Sequence, residues 1–127
     1  QAAGGNVRID VVQAKTEDFD SARAAVTTYL DHHPLPDAIV GGNDRFAIAA
    51  MSILLDRGIP VPDRVKITGF NGFEQRRYAR PLVTTVISSA YELGERAGEV
   101  LLTRFEKGRF PTRELVLPVY FESGETT

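Results

Sequence analysis

The chain has 127 residues, of which 43% are hydrophobic and 25% charged, and its formal net charge is -2. This length fits one domain with a substantial core, and the composition is typical of a soluble globular protein. The near-balance of charge and the lack of a Lys/Arg cluster argue against nucleic-acid binding by this chain itself. The absence of cysteine excludes a disulfide framework, thiolate catalysis and cysteine metal sites.

The N-terminal part predicts a strand and then a helix. No apolar run approaches the ~18 residues of a membrane span, and no signal-peptide pattern is present. Gln1 is not an initiator Met, so we expect a further segment before it in the natural product. Residues 7–12 (Val-Arg-Ile-Asp-Val-Val) predict the first strand, and either Asp18 or Asp20 caps the helix that follows.

Phe19, in the loop between that strand and that helix, has two interpretations. It can be a hydrophobic staple that packs on the first helical turn, or an aromatic wall of a cleft at the strand ends. Its position alone favours the staple.

Residues 37–44 (Asp-Ala-Ile-Val-Gly-Gly-Asn-Asp) form the central stretch of the sequence. A short apolar run that meets two glycines and two polar residues predicts a strand ending at a βα turn, where parallel α/β sheets bind ligands. The glycines permit a tight turn and close approach. We predict that Asp44 caps the next helix and that Asn43 directs its amide into the space beyond the strand.

The helix predicted from Asp44 to Arg57 has little polar surface. Its polar residues fall on one narrow stripe of Arg45, Ser52 and Asp56, and apolar residues cover the rest. A helix on a sheet needs only one apolar stripe, so this helix should bury a second face. Either another helix or a partner subunit covers that face, and we favour the partner subunit.

The second half of the sequence repeats the alternation. The predicted elements are a strand at 65–70, a short helix at 73–79, a strand at 83–87, a helix at 89–107 opened by a capping box, and strand regions at 114–117 and 119–122 on either side of Pro118. Asn71 follows a strand end, as Asn43 does, although a plain turn asparagine is the better interpretation of it alone.

Catalytic, metal and cofactor sites find no support in the sequence. His32 and His33 are adjacent and do not share a helix face, so they make a poor metal pair. Ser88 and Ser89 have no histidine nearby, and no phosphate loop, dinucleotide fingerprint or nucleophile elbow is present. We therefore predict no enzyme activity and no cofactor.

Several stretches together resemble the lactose/galactose-repressor (LacI/GalR-type) family of bacterial transcription regulators. They are residues 36–44 with the apolar helix ending Arg57-Gly58, residues 59–71, residues 81–86 with Glu92-Leu93-Gly94 and Leu101-Leu102, and residues 113–118. The matches come in one order and span nearly the whole chain.

The resemblance implies an α/β fold of the type I periplasmic-binding-protein-like class. The expected architecture is a three-layer α/β/α lobe with a mostly parallel sheet, and residues 1–127 form the C-terminal lobe of a two-lobe effector-binding domain. Residues 89–118 would pack on the first lobe, which this chain lacks. The helix at 89–107 should therefore be mobile, repack on its own lobe or dock on a neighbouring subunit.

The resemblance also implies site residues and partners. Asn43 would bind ligand hydroxyls, Phe19 would stack on the ligand ring, Asn71 stands where many members have aspartate, and Ser88 stands at a hinge-side polar contact. The residues that match the dimer-forming surface of the family are Ile48, Met51, Leu55 and Tyr78. The expected partners are a small-molecule effector such as a sugar, a second copy of the protein, and DNA through a helix-turn-helix absent from this chain.

The leading hypothesis is a cytoplasmic regulator whose lobes close on the effector and so change operator affinity. The alternative is a periplasmic-type solute-binding protein of a transport system. The apolar helix at 46–55 argues against this alternative, since such proteins usually act as monomers.

Overall fold

A computed structural model describes residues 7–127, in which helices and strands alternate. The elements in chain order are α1 (Phe19–His32), β1 (Ala38–Val40), α2 (Asp44–Asp56), β2 (Lys66–Asn71), a short 3-10 helix (Glu74–Tyr78), β3 (Thr84–Ser88), α3 (Ala90–Lys107) and β4 (Val119–Glu122). Each element from α1 to α3 lies within one or two residues of its predicted position.

The four strands form one mixed sheet in the order β1-β2-β3-β4. β1, β2 and β3 are parallel, whereas β4 runs antiparallel to β3. The α/β class and the mostly parallel sheet are therefore confirmed. Of the two strand regions predicted around Pro118, only the one after the proline forms a strand, β4. The region predicted at 114–117 is not a strand in the described structure.

The first predicted strand is wrong for this chain. Residues 7–12 have no strand structure, and their side chains are exposed. Their backbone pairs with no strand in residues 7–127, and β1 is left as an edge of the sheet. A β-rich sequence gains a strand only where its backbone groups find a partner. Gly4-Gly5-Asn6, which we expected to bound this strand, lie outside the described residues.

The core forms where α2 packs on the sheet. Met51 and Leu54 of α2 are buried against Val65, Ile67 and Val83, and each is at most 3% exposed. Apolar side chains of this size stabilise a fold by about 1.5–3 kcal/mol each when fully buried. Because α2 is fixed on the sheet in this way, the position of its N-terminal residues Asn43 and Asp44 is fixed as well.

α1 packs on a second side of α2, the side that carries the polar stripe. Arg23 of α1 donates hydrogen bonds to Ser52 and to Asp56, the latter at 2.8 Å. Arg57, just past α2, pairs with Asp31 at 2.6 Å. The polar stripe of α2 thus faces α1, because a guanidinium can reach both a hydroxyl and a carboxylate there.

The opposite face of the sheet carries no packed helix in the described chain. Val40 is 80% exposed and Phe121 is 68% exposed. None of the residues of α3 is buried, so this helix has not repacked on its own lobe. Two of the three expected layers, one of helices and one of strands, are present in residues 7–127.

Candidate functional site

The candidate site lies at the edge of the sheet where β1, β2 and β3 all end. Gly41 continues β1 by donating its N–H to the Thr68 oxygen at 2.8 Å. A Cβ at Gly41 would come within 2.6 Å of the Ala47 nitrogen and 2.8 Å of the Asn43 oxygen. Only glycine therefore lets α2 begin so close to the strand, and the predicted role of this position is confirmed.

Asn43 is the residue that caps α2, so the prediction of Asp44 as the cap is wrong. The Asn43 side-chain oxygen accepts a hydrogen bond from the Phe46 N–H at 2.9 Å. Its amide nitrogen bonds to no group within residues 7–127, and the side chain is half-buried. The cap thus uses the side-chain oxygen of Asn43, and its two amide N–H donors have no partner within residues 7–127.

Asp44 is fully buried instead. One of its carboxylate oxygens accepts from the Thr85 hydroxyl of β3, and the other accepts from the Phe73 N–H after β2. Sequence reasoning missed this role, because both partners are distant along the chain. A buried carboxylate needs such donors, since an unbonded charge in the interior is costly.

Asn71 and Ser88 meet at the ends of adjacent strands. The Ser88 hydroxyl donates to the side-chain oxygen of Asn71 at 3.1 Å. Asn71 has φ 89°, the left-handed region, which asparagine tolerates better than most residues. The bond from Ser88 uses one lone pair of the Asn71 oxygen, and within residues 7–127 the amide nitrogen has no partner.

Phe19 is the first residue of α1 and lies after the Asp18 cap, so it does not occupy the position of a hydrophobic staple. The ring is 36% exposed, and the Arg23 guanidinium stands 5.9 Å from its centroid. Arg45, at the start of α2, donates to the Glu17 carbonyl at 3.0 Å. This bond places the start of α1, and Phe19 with it, beside the start of α2.

The four residues assigned to a dimer surface differ in exposure. Tyr78 is 78% exposed and Leu55 is 41% exposed, while Ile48 is half-buried. Met51 is only 3% exposed and belongs to the core. The side chains of Tyr78, Leu55 and Ile48 are thus accessible at the surface, whereas that of Met51 is not.

Two open cavities lie outside the four predicted ligand residues. One of about 370 Å³ is lined by residues of all four strands and the β1–α2 turn: Val40, Gly41, Gly42, Thr68, Gly69, Phe70, Thr85, Val86 and Phe121. The other, of about 450 Å³, is lined by Arg76, Arg77, Arg80, Leu82, Glu122, Ser123, Gly124 and Glu125. The four predicted residues line neither cavity, and three of them, Asn43, Asn71 and Ser88, supply polar groups at the ends of β1, β2 and β3.

Two further searches of the described chain gave negative results. Residues 7–127 contain no group of three or more His, Cys, Asp or Glu side chains placed to hold a metal ion. None of the helices in that range combines the length and apolar character that a membrane span requires.

Comparison with known proteins adds a family to this geometry. The periplasmic binding protein-like domain family matches residues 1–127. The ribose operon repressor of Halalkalibacterium halodurans is 29% identical over 118 residues, which are 93% of this chain and 36% of the repressor. The chain therefore spans about a third of the length of that curated relative.

Solved structures give the same result. A putative LacI-family transcriptional regulator from Sanguibacter keddieii matches with TM-score 0.85 and 28% identity, over 94% of this chain and 47% of that one. A LacI-family regulator from Arthrobacter sp. FB24 in complex with lactose matches with TM-score 0.77 and 25% identity, over 87% and 42%. The chain belongs to the periplasmic binding protein-like family, in the form that LacI-type transcription regulators carry.

Proposed function

We propose that this chain is the ligand-sensing and dimer-forming part of a bacterial transcription regulator, and that its effector is a sugar or a similar small metabolite. The main support for this proposal is the group of polar side chains at the ends of the parallel strands. Asn43, Asn71 and Ser88 come from three successive strand ends, and the last two are joined by a 3.1 Å hydrogen bond. Amide and hydroxyl groups in such a cluster suit the hydroxyls of a sugar, which both donate and accept hydrogen bonds.

The relatives support a sugar as the effector. One related regulator is named for the ribose operon, and a structural neighbour was solved with lactose. In this chain the exposed ring of Phe19 would pack on the apolar face of a sugar ring. With asparagine at position 71, the edge has neutral groups in place of a carboxylate, which suits uncharged ligands.

The mechanism follows from an open edge that needs a second surface. An effector bound between this edge and a first lobe would stabilise one closure angle, and its effect on operator affinity equals its differential affinity for the two states. DNA would be read by a helix-turn-helix outside this chain. The protein would act as a homodimer whose interface includes Ile48, Leu55 and Tyr78. Such a regulator would act in the cytoplasm, where the DNA is, and would need neither a catalysed reaction nor a cofactor.

Calorimetry on the full-length protein tests this proposal. A panel of neutral mono- and disaccharides that includes ribose and lactose should contain at least one ligand that binds saturably. Phe19→Ala should then weaken that ligand about tenfold, which corresponds to about 1.4 kcal/mol of binding free energy.

Phe110→Ala provides a matched control. Phe110 is also exposed and also has an arginine over its ring, Arg104 at 5.7 Å, but it follows α3 in the chain and not the end of β1, β2 or β3. The control should leave saccharide affinity within twofold of the parent. Equal losses in both variants, or no binding across the panel, would contradict the proposal.

A further inference from the structure

We propose that Asp44 is a positioning residue that holds Asn43, Asn71 and Ser88 in register with one another. It is fully buried, yet it neighbours Asn43 in sequence and contacts the segments that carry the other two side chains. That these three bind a ligand rests on the proposed function. That Asp44 orders them rests on the hydrogen bonds alone.

The first link runs to Asn71. The Phe73 N–H, two residues beyond Asn71, donates to one oxygen of the Asp44 carboxylate. Asn71 has a φ of 89° and Gly72 a φ of 74°. Two consecutive residues in the left-handed region are held in place when the next N–H has a fixed acceptor, and a carboxylate is a strong one.

The second link runs to Ser88. The Thr85 hydroxyl, three residues before Ser88 in β3, donates to the other carboxylate oxygen. Since Ser88 in turn donates to Asn71 at 3.1 Å, the bonds close a ring through α2, the turn after β2, and β3. Displacement of any one of the three segments would strain or break a bond in this ring.

The surroundings of Asp44 are built for a carboxylate. No Lys, Arg or His within residues 7–127 forms an ion pair with it. A Cβ at Gly69 would lie only 3.0 Å from the Asp44 Cα, so glycine is needed there. A carboxylate buried among neutral donors is stabilised only while both bonds are kept, and this requirement makes the arrangement rigid.

The chain offers a matched pair of variants in adjacent buried threonines. Thr85→Val removes the hydroxyl that donates to Asp44 and keeps the side-chain shape. Thr84→Val removes an equally buried hydroxyl, but one that bonds to the Gly124 N–H at 2.9 Å and to Thr127. Both changes remove buried hydrogen bonds from β3, and only the first touches Asp44.

The test is amide hydrogen exchange in the 127-residue chain without ligand. The reporters are Phe73 N–H, which bonds Asp44, and Phe46 N–H, which bonds the Asn43 cap at 2.9 Å. The reference is Ile59 N–H, which bonds the Leu54 oxygen at 2.8 Å in the core. Thr85→Val should speed exchange at both reporters about tenfold relative to the reference, since a bond to a charged group is lost.

The measured ratio is the exchange rate of each reporter divided by that of the reference. Thr84→Val should leave this ratio at its parent value, and Thr85→Ser should return it to that value because serine restores the hydroxyl. Asp44→Ala should raise the ratio further, and should it fail to fold, Thr85→Val still decides. A ratio in Thr85→Val that equals that in Thr84→Val would overturn the proposal. A raised ratio, with saccharide affinity of the full-length protein unchanged, would uphold the role of Asp44 and remove the ligand site from this edge.

Discussion

At the scale of single residues, Asp18 shows how one carboxylate sets the start of α1. The Thr16 hydroxyl and then the Ser21 N–H, at 2.7 Å, donate to it, and these bonds hold the pKa of the Asp18 carboxyl below its usual value of 3.8. A carboxyl whose pKa is lower in the folded state stabilises the fold above its unfolded pKa. That contribution is lost as the pH falls through the folded-state pKa.

Asp18→Asn should therefore change the pH dependence of stability more than the stability itself at neutral pH. Asparagine caps a helix about as well as aspartate but does not titrate. On acidification from pH 5 to pH 2 the parent should lose stability relative to the variant, measured by urea unfolding at each pH. Asp20→Asn removes the same charge two residues later without touching the cap. A parent–variant difference that stays constant with pH would contradict the prediction.

The neighbours Asn43 and Asp44 show why the sequence located the site but not every role in it. Asparagine and aspartate are almost equally good caps, so local preference cannot choose between adjacent ones. The choice is made by Thr85 and Phe73, which are 41 and 29 residues from Asp44 and give its carboxylate buried partners. Long-range hydrogen bonds of this kind leave no periodic pattern in a sequence.

At the scale of elements, local patterns predicted what local physics decides. The helix from Asp44 was predicted from its apolar spacing, and the start of α3 from Ser89, whose hydroxyl accepts from the Glu92 N–H at 3.3 Å. Residues 7–12 have strand composition as well, but a strand also requires a neighbour that no local pattern can supply. The contact between α1 and the polar stripe of α2 depends likewise on a distant residue, since Arg23 of α1 bonds to Ser52 and Asp56.

α2 and the 3-10 helix also carry the element-scale prediction, which concerns the dimer. Leu55 is 41% exposed, and it is the one large apolar side chain of α2 that is exposed. At a two-fold interface each substitution occurs twice, so a charge placed there meets its own copy or the same apolar surface. Leu55→Asp should raise the dimer dissociation constant of the full-length protein at least about tenfold in sedimentation equilibrium.

Thr28→Asp is the control for this dimer measurement. Thr28 is exposed on α1, and a charge there should leave the dissociation constant within twofold of the parent. If Leu55→Asp dimerises as the parent does, the exposed part of α2 is not the dimer surface.

At the scale of the whole molecule, residues 7–127 leave one face of the sheet and all of α3 without a packing partner. α1 and α2 cover one face of the sheet, while α3 extends for 18 residues without a buried side chain. Leu93, Leu101 and Phe105 of α3 are 54%, 50% and 83% exposed. A helix with such an apolar stripe gains stability mainly by packing it, so we propose that residues 89–118 pack on a first lobe outside this chain.

Leu101→Ala separates that proposal from an α3 that is simply solvated. In the 127-residue chain the substitution should change the free energy of unfolding by less than about 0.5 kcal/mol, because Leu101 is 50% exposed and no residue of α3 is buried there. In a protein that includes the first lobe, it should cost about 2–5 kcal/mol, as for other buried leucines. Leu54→Ala, at a fully buried position of α2, should cost about 2–5 kcal/mol in both lengths of chain. Denaturant unfolding of both substitutions, each in both lengths of chain, tests the proposal. A small effect of Leu101→Ala at both lengths would mean that α3 does not pack on the first lobe.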